Sequence, residues 1–224
     1  MKFVVDSADL QTIRDCYETL ACDGVTTNPS ILAKAKRPPY EVLREIRSFI
    51  GPDADLHVQV IAGDYETMLR EAQAITAALG KNTFIKVPVT ETGLKVIKQL
   101  KANGYRVTAT AIYTAAQAYL AAQAGADYVA PYVNRIYDTG NDGVQVTEQI
   151  QTLLRAGGYR TQVLAASFKN VSQVLSLAAF GTDAATVQPD VIRKMVSNPT
   201  VDAAVDAFRA DFEGLCGKGK TMCD

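Results

Sequence analysis

The chain has 224 residues, 48% of them hydrophobic and 21% charged, with 23 basic and 24 acidic side chains for a net charge of -1. That balance gives no reason to expect a nucleic-acid or membrane partner and leaves room only for a local basic patch that binds a small anion. The start of the chain, Met1-Lys2-Phe3-Val4-Val5-Asp6, reaches an acid too early for a signal-peptide core, and no later run is long and apolar enough to span a bilayer. One cytoplasmic domain over residues 1–224 is therefore expected.

In chain order, short β-branched runs alternate with segments of helical period. The first expected strand is Lys2 to Asp6, with Asp9 as a candidate N-cap after it. The second is Val25 to Thr27. Pro38 to Ile50 then carries Val42, Leu43, Ile46 and Ile50 on one side. The third strand, Leu56 to Ile61, precedes a helix over Asp64 to Leu79 with Met68, Leu69, Ala72, Ile75 and Leu79 in phase and Gly80 as its stop. The fourth, Thr83 to Val87, precedes Thr92 to Ala102 with Leu94, Ile97 and Leu100, capped by Thr90 and followed by Gly104. The fifth is Arg106 to Ile112, followed by the cap Thr114 and the stop Gly125. The sixth is Tyr128 to Pro131, the seventh Gln162 to Phe168 with Gly181 beyond it, and the eighth Ala184 to Val187. A last helix, Val201 to Leu215, places Val201, Ala204, Val205, Phe208, Phe212 and Leu215 on one stripe. The tail from Gly214 to Asp224 is expected to be partly mobile.

Eight strands, each followed by a helix, imply parallel pairing with crossover helices. A closed (β/α)8 barrel of the TIM type and an open doubly wound sheet both satisfy this. The strand count and the side-chain alternation favour the barrel. Ile85, Val87 and Val89 share one face with Lys86 on the other; Leu56, Val58 and Val60 share one face with Gln59 opposite; Thr108 and Thr110 fall together. The polar residues then share the barrel interior. No GxGxxG or GxxxxGK[ST] motif occurs, which weakens a nucleotide-binding open sheet.

The residues available for chemistry are few. Cys16, Cys22, Cys216 and Cys223 show no CxxC spacing and read as reduced thiols. His57 is the only histidine, which removes a His-rich zinc site and leaves little room for a Ser-His or Cys-His nucleophile pair. No metal and no cofactor is expected. Lys86 is the sharpest feature. Burial in the middle of an apolar strand favours the neutral amine, which can attack a ketone carbonyl and form an iminium. The bland alternative is a lysine whose ammonium reaches solvent or a carboxylate. Asp6, Thr26, Asn28, Gln59, Thr110, Tyr132, Arg135, Ser167 and Lys169 lie on or just after the expected strands. In a barrel they converge at the C-terminal mouth, where such folds build active sites. Singly, each has a structural explanation as a cap, a turn or a packed aromatic.

Gly24-Val25-Thr26-Thr27-Asn28-Pro29-Ser30, Ile85-Lys86-Val87-Pro88-Val89, Ala130-Pro131-Tyr132-Val133-Asn134-Arg135 and Ala165-Ala166-Ser167-Phe168-Lys169 occur in this order. With them the chain resembles, over nearly its whole length, the small transaldolase group that includes fructose-6-phosphate aldolase. The resemblance implies a closed barrel with the Schiff-base lysine on strand four, at Lys86. It implies proton transfer and hydroxyl binding by Asp6. Thr26 and Asn28 would orient a dihydroxyacetone portion, with Ala130 among the substrate-binding positions, and Arg135, Ser167 and Lys169 would hold a phosphate. True transaldolases of this family tend to carry Glu and Phe where this chain has Gln59 and Tyr132, so both positions side with the aldolases. A phenol at Tyr132, with Gln59 and Thr110, would place a water for protonating the enamine. Position 108 is Thr where larger transaldolases tend to have Asn.

The expected activity is cleavage of fructose 6-phosphate to dihydroxyacetone and glyceraldehyde 3-phosphate. The alternatives are a transaldolase that transfers a dihydroxyacetone unit, a relative acting on another anionic sugar such as a sulfonated one, and a non-catalytic sugar-phosphate-binding barrel. The resemblance also implies a ring-like homo-oligomer, a pentamer or decamer, in which the last helix packs on a neighbouring subunit; the alternative is packing on its own barrel.

Overall fold

Eight parallel strands close into a barrel in strict chain order, each strand pairing with its sequence neighbours and β8 returning to β1, in a computed structural model that describes residues 1–224. The strands are β1 (Lys2–Asp6), β2 (Gly24–Thr26), β3 (Asp55–Gln59), β4 (Thr83–Pro88), β5 (Arg106–Ile112), β6 (Tyr128–Pro131), β7 (Gln162–Ala165) and β8 (Ala184–Val187). Around them run α1 (Leu10–Thr19), α2 (Pro29–Lys34), α3 (Pro39–Ile50), α4 (Tyr65–Leu79), α5 (Glu91–Ala102) and α6 (Ala115–Gln123). The later half adds α7 (Val133–Tyr137), α8 (Gly143–Ala156), α9 (Val171–Phe180), α10 (Pro189–Val196) and α11 (Pro199–Cys216). The barrel alternative is thus the one observed, with an extra C-terminal helix.

The outward faces of the strands and the apolar stripes of the helices form one continuous core. Val5, Val25, Val58, Ile85, Val87, Val107, Val129, Val163 and Val187 meet Ile13, Ile46, Ile75, Ile97, Ile150 and Leu177 there. Burying these side chains is the main stabilising term. Helix starts are set by side chains that satisfy free backbone N–H groups: Asp9, Asp64, Thr90 and Thr114 each accept from the third residue on, and Thr114 with Gln117 forms a full capping box. Gly24 is required where β2 meets β3, because a Cβ there would run into the Asp55 carbonyl.

Differences from the sequence expectation fall at strand ends. β2 begins at Gly24 and ends at Thr26, since Thr27 already turns away while its N–H still donates to the His57 carbonyl. β3 stops at Gln59 rather than Ile61, because the N–H groups of Ile61 and Ala62 donate to the Glu71 carboxylate instead of a strand. β7 stops at Ala165 rather than Phe168: Ala166 keeps a single bridge to Tyr132, and Ser167 has φ +63°, which breaks the extended run. The last helix starts two residues earlier than expected and continues through Gly214 to Cys216. No helix is long and apolar enough to cross a membrane.

The strand registers sort the inward side chains into layers drawn from alternate strands. Asp6, Gln59, Thr110 and Ala166, from the odd strands and the end of β7, form the upper layer. Thr26, Lys86, Ala130 and Thr186 lie beneath. Val4, His57, Thr108 and Leu164 come next, then Gly24, Phe84, Tyr128 and Ala184. The interior is polar toward the strand ends and largely apolar beneath, where Val4, Phe84, Tyr128, Leu164 and Ala184 cluster, and Lys2, Asp55 and Arg106 close it at the strand starts.

Candidate active site

The C-terminal mouth of the barrel holds a cavity of about 200 Å³, lined by Asp6, Asn28, Gln59, Lys86, Tyr132, Arg135 and Ser167 among others. Seven of the eleven residues singled out in the sequence therefore face one space. A larger cleft of about 640 Å³ opens beside it and shares Asp6 and Gln188 with it.

Lys86 is 5% exposed, and its Nζ donates to the Thr27 carbonyl at 2.8 Å. Burial pulls its proton affinity below the usual lysine range, opposed by the charge of Asp6. Asp6, also buried, accepts from Thr26 Oγ1 at 2.7 Å. Burial pushes its carboxyl up, against Lys86, the hydrogen bonds of Thr26 and Gln188, and Arg135, which all favour the carboxylate. The two groups lie in adjacent layers, each shifted toward its neutral form and each partly restored by the other. Such opposed shifts on two groups in one cavity mark a candidate proton-transfer site.

Tyr132 follows β6, where its hydroxyl lies 3.0 Å from Thr110 Oγ1 and Tyr113 packs edge-on against its ring. Arg135, one turn along α7, stacks its guanidinium over that ring at 4.7 Å from the centroid. Gln59 lines the cavity with a buried Oε1 that has no protein partner. An unpaired acceptor of this kind is costly unless a ligand or water meets it. Two non-glycine residues beside the cavity, Ala111 at φ +58° and Ser167 at φ +63°, sit in the left-handed region, a strain that persists only when the surroundings impose it. Ala111 coincides with a register shift between β5 and β6 just after Thr110.

Four residues singled out in the sequence stand differently. Thr26 is fully buried and its hydroxyl is committed to Asp6 and Thr186, so it orients the carboxylate rather than facing the cavity. Thr110 is fully buried and reaches the cavity only through Tyr132. Ala130 is buried in the Lys86 layer without lining the cavity. Lys169 is exposed and outside the lining, because α9 begins directly after it and its N–H is tied to the Gln173 side chain at 2.9 Å. Asn28 lines the cavity, but its Oδ1 caps α2 by accepting from Ile31, which leaves the amide nitrogen as its free group. Thr186, Gln188, Ser30 and Ala166 join the lining without having been singled out. Gln188 was legible: it is a polar residue at the end of a strand before a proline, as Asn28 is.

The sequence matches the family model described as "Transaldolase/Fructose-6-phosphate aldolase" over residues 3–219. It is 42% identical to a "Probable transaldolase" of Chelativorans sp. (strain BNC1), over 95% of this chain and 96% of that one. It is 42% identical to a "Probable fructose-6-phosphate aldolase" of Streptococcus pneumoniae, with the same shares covered. A "Probable transaldolase" of Geobacter metallireducens is 40% identical over 95% of this chain and 98% of that one.

Proposed function

The chain belongs to the transaldolase/fructose-6-phosphate aldolase family, and on that premise we propose that it is a class I aldolase cleaving fructose 6-phosphate through a Schiff base on Lys86. The observation that carries the reading is Lys86 itself: a buried amine in the barrel interior, lining a cavity with Asp6 and hydrogen-bonded only to a backbone carbonyl.

The steps follow from the arrangement. The neutral Lys86 amine adds to C2 of the ketose, and loss of water gives an iminium. Asp6, as carboxylate, takes the proton of the C4 hydroxyl while the C3–C4 electron pair moves into the iminium. Glyceraldehyde 3-phosphate leaves and an enamine of dihydroxyacetone remains on Lys86. Protonation at the former C3 and addition of water then release dihydroxyacetone and restore the amine. Arg135 and Ser167 are the assigned phosphate contacts, with Lys169 a peripheral cation outside the cavity. The Asn28 amide and the Gln188 side chain, which line the same cavity, would hold the donor hydroxyls.

The finer choice between hydrolysis and transfer rests on Tyr132, Gln59 and Thr110. A phenol hydrogen-bonded to Thr110, in a cavity lined also by Gln59 with its unpaired oxygen, supports a water held for enamine protonation. The second reading is a transaldolase, favoured by the names of several relatives. The deciding measurement is release of glyceraldehyde 3-phosphate from fructose 6-phosphate with and without erythrose 4-phosphate. Steady release without the acceptor supports the aldolase; release only with it establishes transfer.

Assembly is part of the same reading. α11 buries none of its residues, and Phe208 is 70% and Leu215 83% exposed. An eighteen-residue helix left apolar on one stripe supports a homo-oligomer in which a second copy covers it. Sedimentation of the full chain beside a Phe208→Glu variant tests this, with dissociation expected in the variant.

A further inference from the structure

One layer below Lys86, the two strands that flank β4 place His57 and Thr108 against each other. Gln59 and Thr108 are the register partners of Lys86 on β3 and β5, and His57 is the partner of Phe84. His57 Nδ1 lies 2.8 Å from Thr108 Oγ1. The bond therefore crosses the inward face of β4 between Lys86 above and Phe84 below. The imidazole stacks on Phe84, with centroids 4.5 Å apart and planes 8° from parallel, and Tyr128 meets it edge-on at 5.5 Å. We propose that this His57–Thr108 crossbar supports the Lys86 amine from below and that His57 is a positioning residue for the Schiff-base lysine; the inference rests on the role proposed for Lys86.

Packing alone does not account for the pair. The other two members of the layer are Val4 and Leu164, and the layer beneath is Gly24, Phe84, Tyr128 and Ala184. Aliphatic side chains would fill the same space without desolvating an imidazole and a hydroxyl. The hydrogen bond satisfies Nδ1, while Nε2 is buried with no protein partner. A buried unpaired ring nitrogen is a standing cost that calls for an explanation.

The electrostatics supply one. Burial first, then the cations Lys86 of β4, Lys2 of β1, Arg47 of α3 and Arg106 of β5, hold His57 well below the usual imidazole range, so it is neutral. Among four cations the favoured tautomer donates Nδ1–H to Thr108 and leaves the Nε2 lone pair unprotonated in a field of positive charge. In the proposed arrangement that dipole favours the ammonium of Lys86, adding to the Asp6 carboxylate on β1, which raises its proton affinity. Against the desolvation of Lys86 there are thus two supports, one charged and above, one dipolar and below. They keep the amine protonatable as the iminium forms and is hydrolysed, and they hold the side chain between Thr27 and the cavity.

The test reads two nuclei in the intact protein without substrate. Because His57 is the only histidine, ring-nitrogen NMR reports its tautomer directly. Lys86 is followed through its ε-carbon resonance, assigned by its disappearance in Lys86→Met. The expected result is the Nδ1-protonated tautomer at neutral pH. In His57→Phe, which keeps the stack on Phe84, the Lys86 titration should move down by about one pH unit. In Thr108→Val it should move in the same direction by less, and His57→Gln, which retains a polar group, should recover part of the shift. An Nε2-protonated ring, or an unmoved Lys86 titration in both His57→Phe and Thr108→Val, overturns the proposal. Thr108→Val changes so little volume that it answers even where His57→Phe does not fold. Borohydride trapping of wild type with fructose 6-phosphate is run alongside. Absence of an adduct there defeats the Schiff-base reading, whereas an adduct with an unmoved titration defeats only the crossbar.

Discussion

The two ends of the barrel hold the same kinds of charged side chain in opposite arrangements. At the strand starts, Lys2 lies 2.9 Å and Arg106 4.0 Å from the two oxygens of Asp55, and Lys101 lies 2.7 Å from Asp127. Asp23, Asp127 and Asp183 each accept from a backbone N–H at the start of β1, β5 or β7, at 2.7, 2.7 and 2.9 Å. At the strand ends, Asp6 is about as buried as Asp55, but Lys86 is buried where Lys2 and Arg106 are part-exposed, and the groups are less completely matched; Lys86 donates to a carbonyl, and Gln59 leaves an oxygen unpaired. Charges matched within the fold stabilise it, whereas charges desolvated ahead of a partner weaken it and are available to a ligand. The contrast predicts that substitutions at the mouth change chemistry with little loss of stability, and that substitutions at the floor do the reverse.

The largest effect is expected from Lys86→Met. Turnover and the borohydride-trapped adduct should both disappear. The melting temperature should not fall, because a lysine desolvated below its ordinary range weakens the fold at every pH under about 10.4, and methionine does not. An undiminished adduct removes Lys86 from the mechanism, and a large loss of stability breaks the comparison. Asp6→Asn should lower kcat by about 10² to 10⁴. It also removes the charge that raises Lys86. Activity that needs the neutral amine is lost as pH falls through the folded Lys86 value, so the acid limb of the kcat/KM profile should move to lower pH in Asp6→Asn. A limb that moves upward contradicts the pairing of these two groups.

Tyr132→Phe comes next. It removes the hydroxyl that meets Thr110 and leaves the ring under Arg135. Hydrolysis of the donor should fall by about tenfold to a hundredfold, while transfer to an added aldehyde persists, so the ratio of the two products is the measurement. Equal hydrolysis in variant and wild type shows that the phenol does not handle the water.

Much of this contrast was legible in the sequence. Alternation placed Lys86, Gln59, Thr108 and Thr110 inward, and strand ends collected Asp6, Asn28, Tyr132 and Ser167, because period two and parallel pairing leave little freedom in a barrel. Which polar residue faces the cavity and which serves its neighbour was not legible. Thr26 ends β2 and Asn28 follows two residues later, yet one supports Asp6 and the other caps α2, a division set by hydrogen bonds of 2.7 and 3.0 Å. Lys169 reads as a phosphate cation beside Ser167, but α9 begins directly after it and leaves it exposed. His57 pairs with Thr108 across 51 residues of sequence, and no local pattern announces that contact.

The smallest effect on catalysis is expected at the floor, and it is the sharper half of the comparison. Asp55 is buried between Lys2 and Arg106. Asp55→Ala leaves those two cations facing each other near the Phe84 and Tyr128 rings. With Lys2 and Arg106 each more than two-fifths exposed, solvent screens much of that repulsion. A loss of about 1 to 3 kcal/mol is expected, or a melting temperature lower by several degrees at this chain length. Meanwhile kcat and the adduct yield should stay within about twofold, because two side-chain layers separate Asp55 from the layer of Lys86 that lines the cavity. Lys2 gains from Asp55 and Tyr128, which raise its proton affinity in the fold. That contribution is present below the ordinary lysine value and is lost as pH rises through the folded one, so the stability gap between variant and wild type should close at strongly alkaline pH. A kcat that falls with stability in Asp55→Ala would mean that the floor transmits strain to Lys86 through Phe84 and His57, and the two ends could no longer be treated as separate.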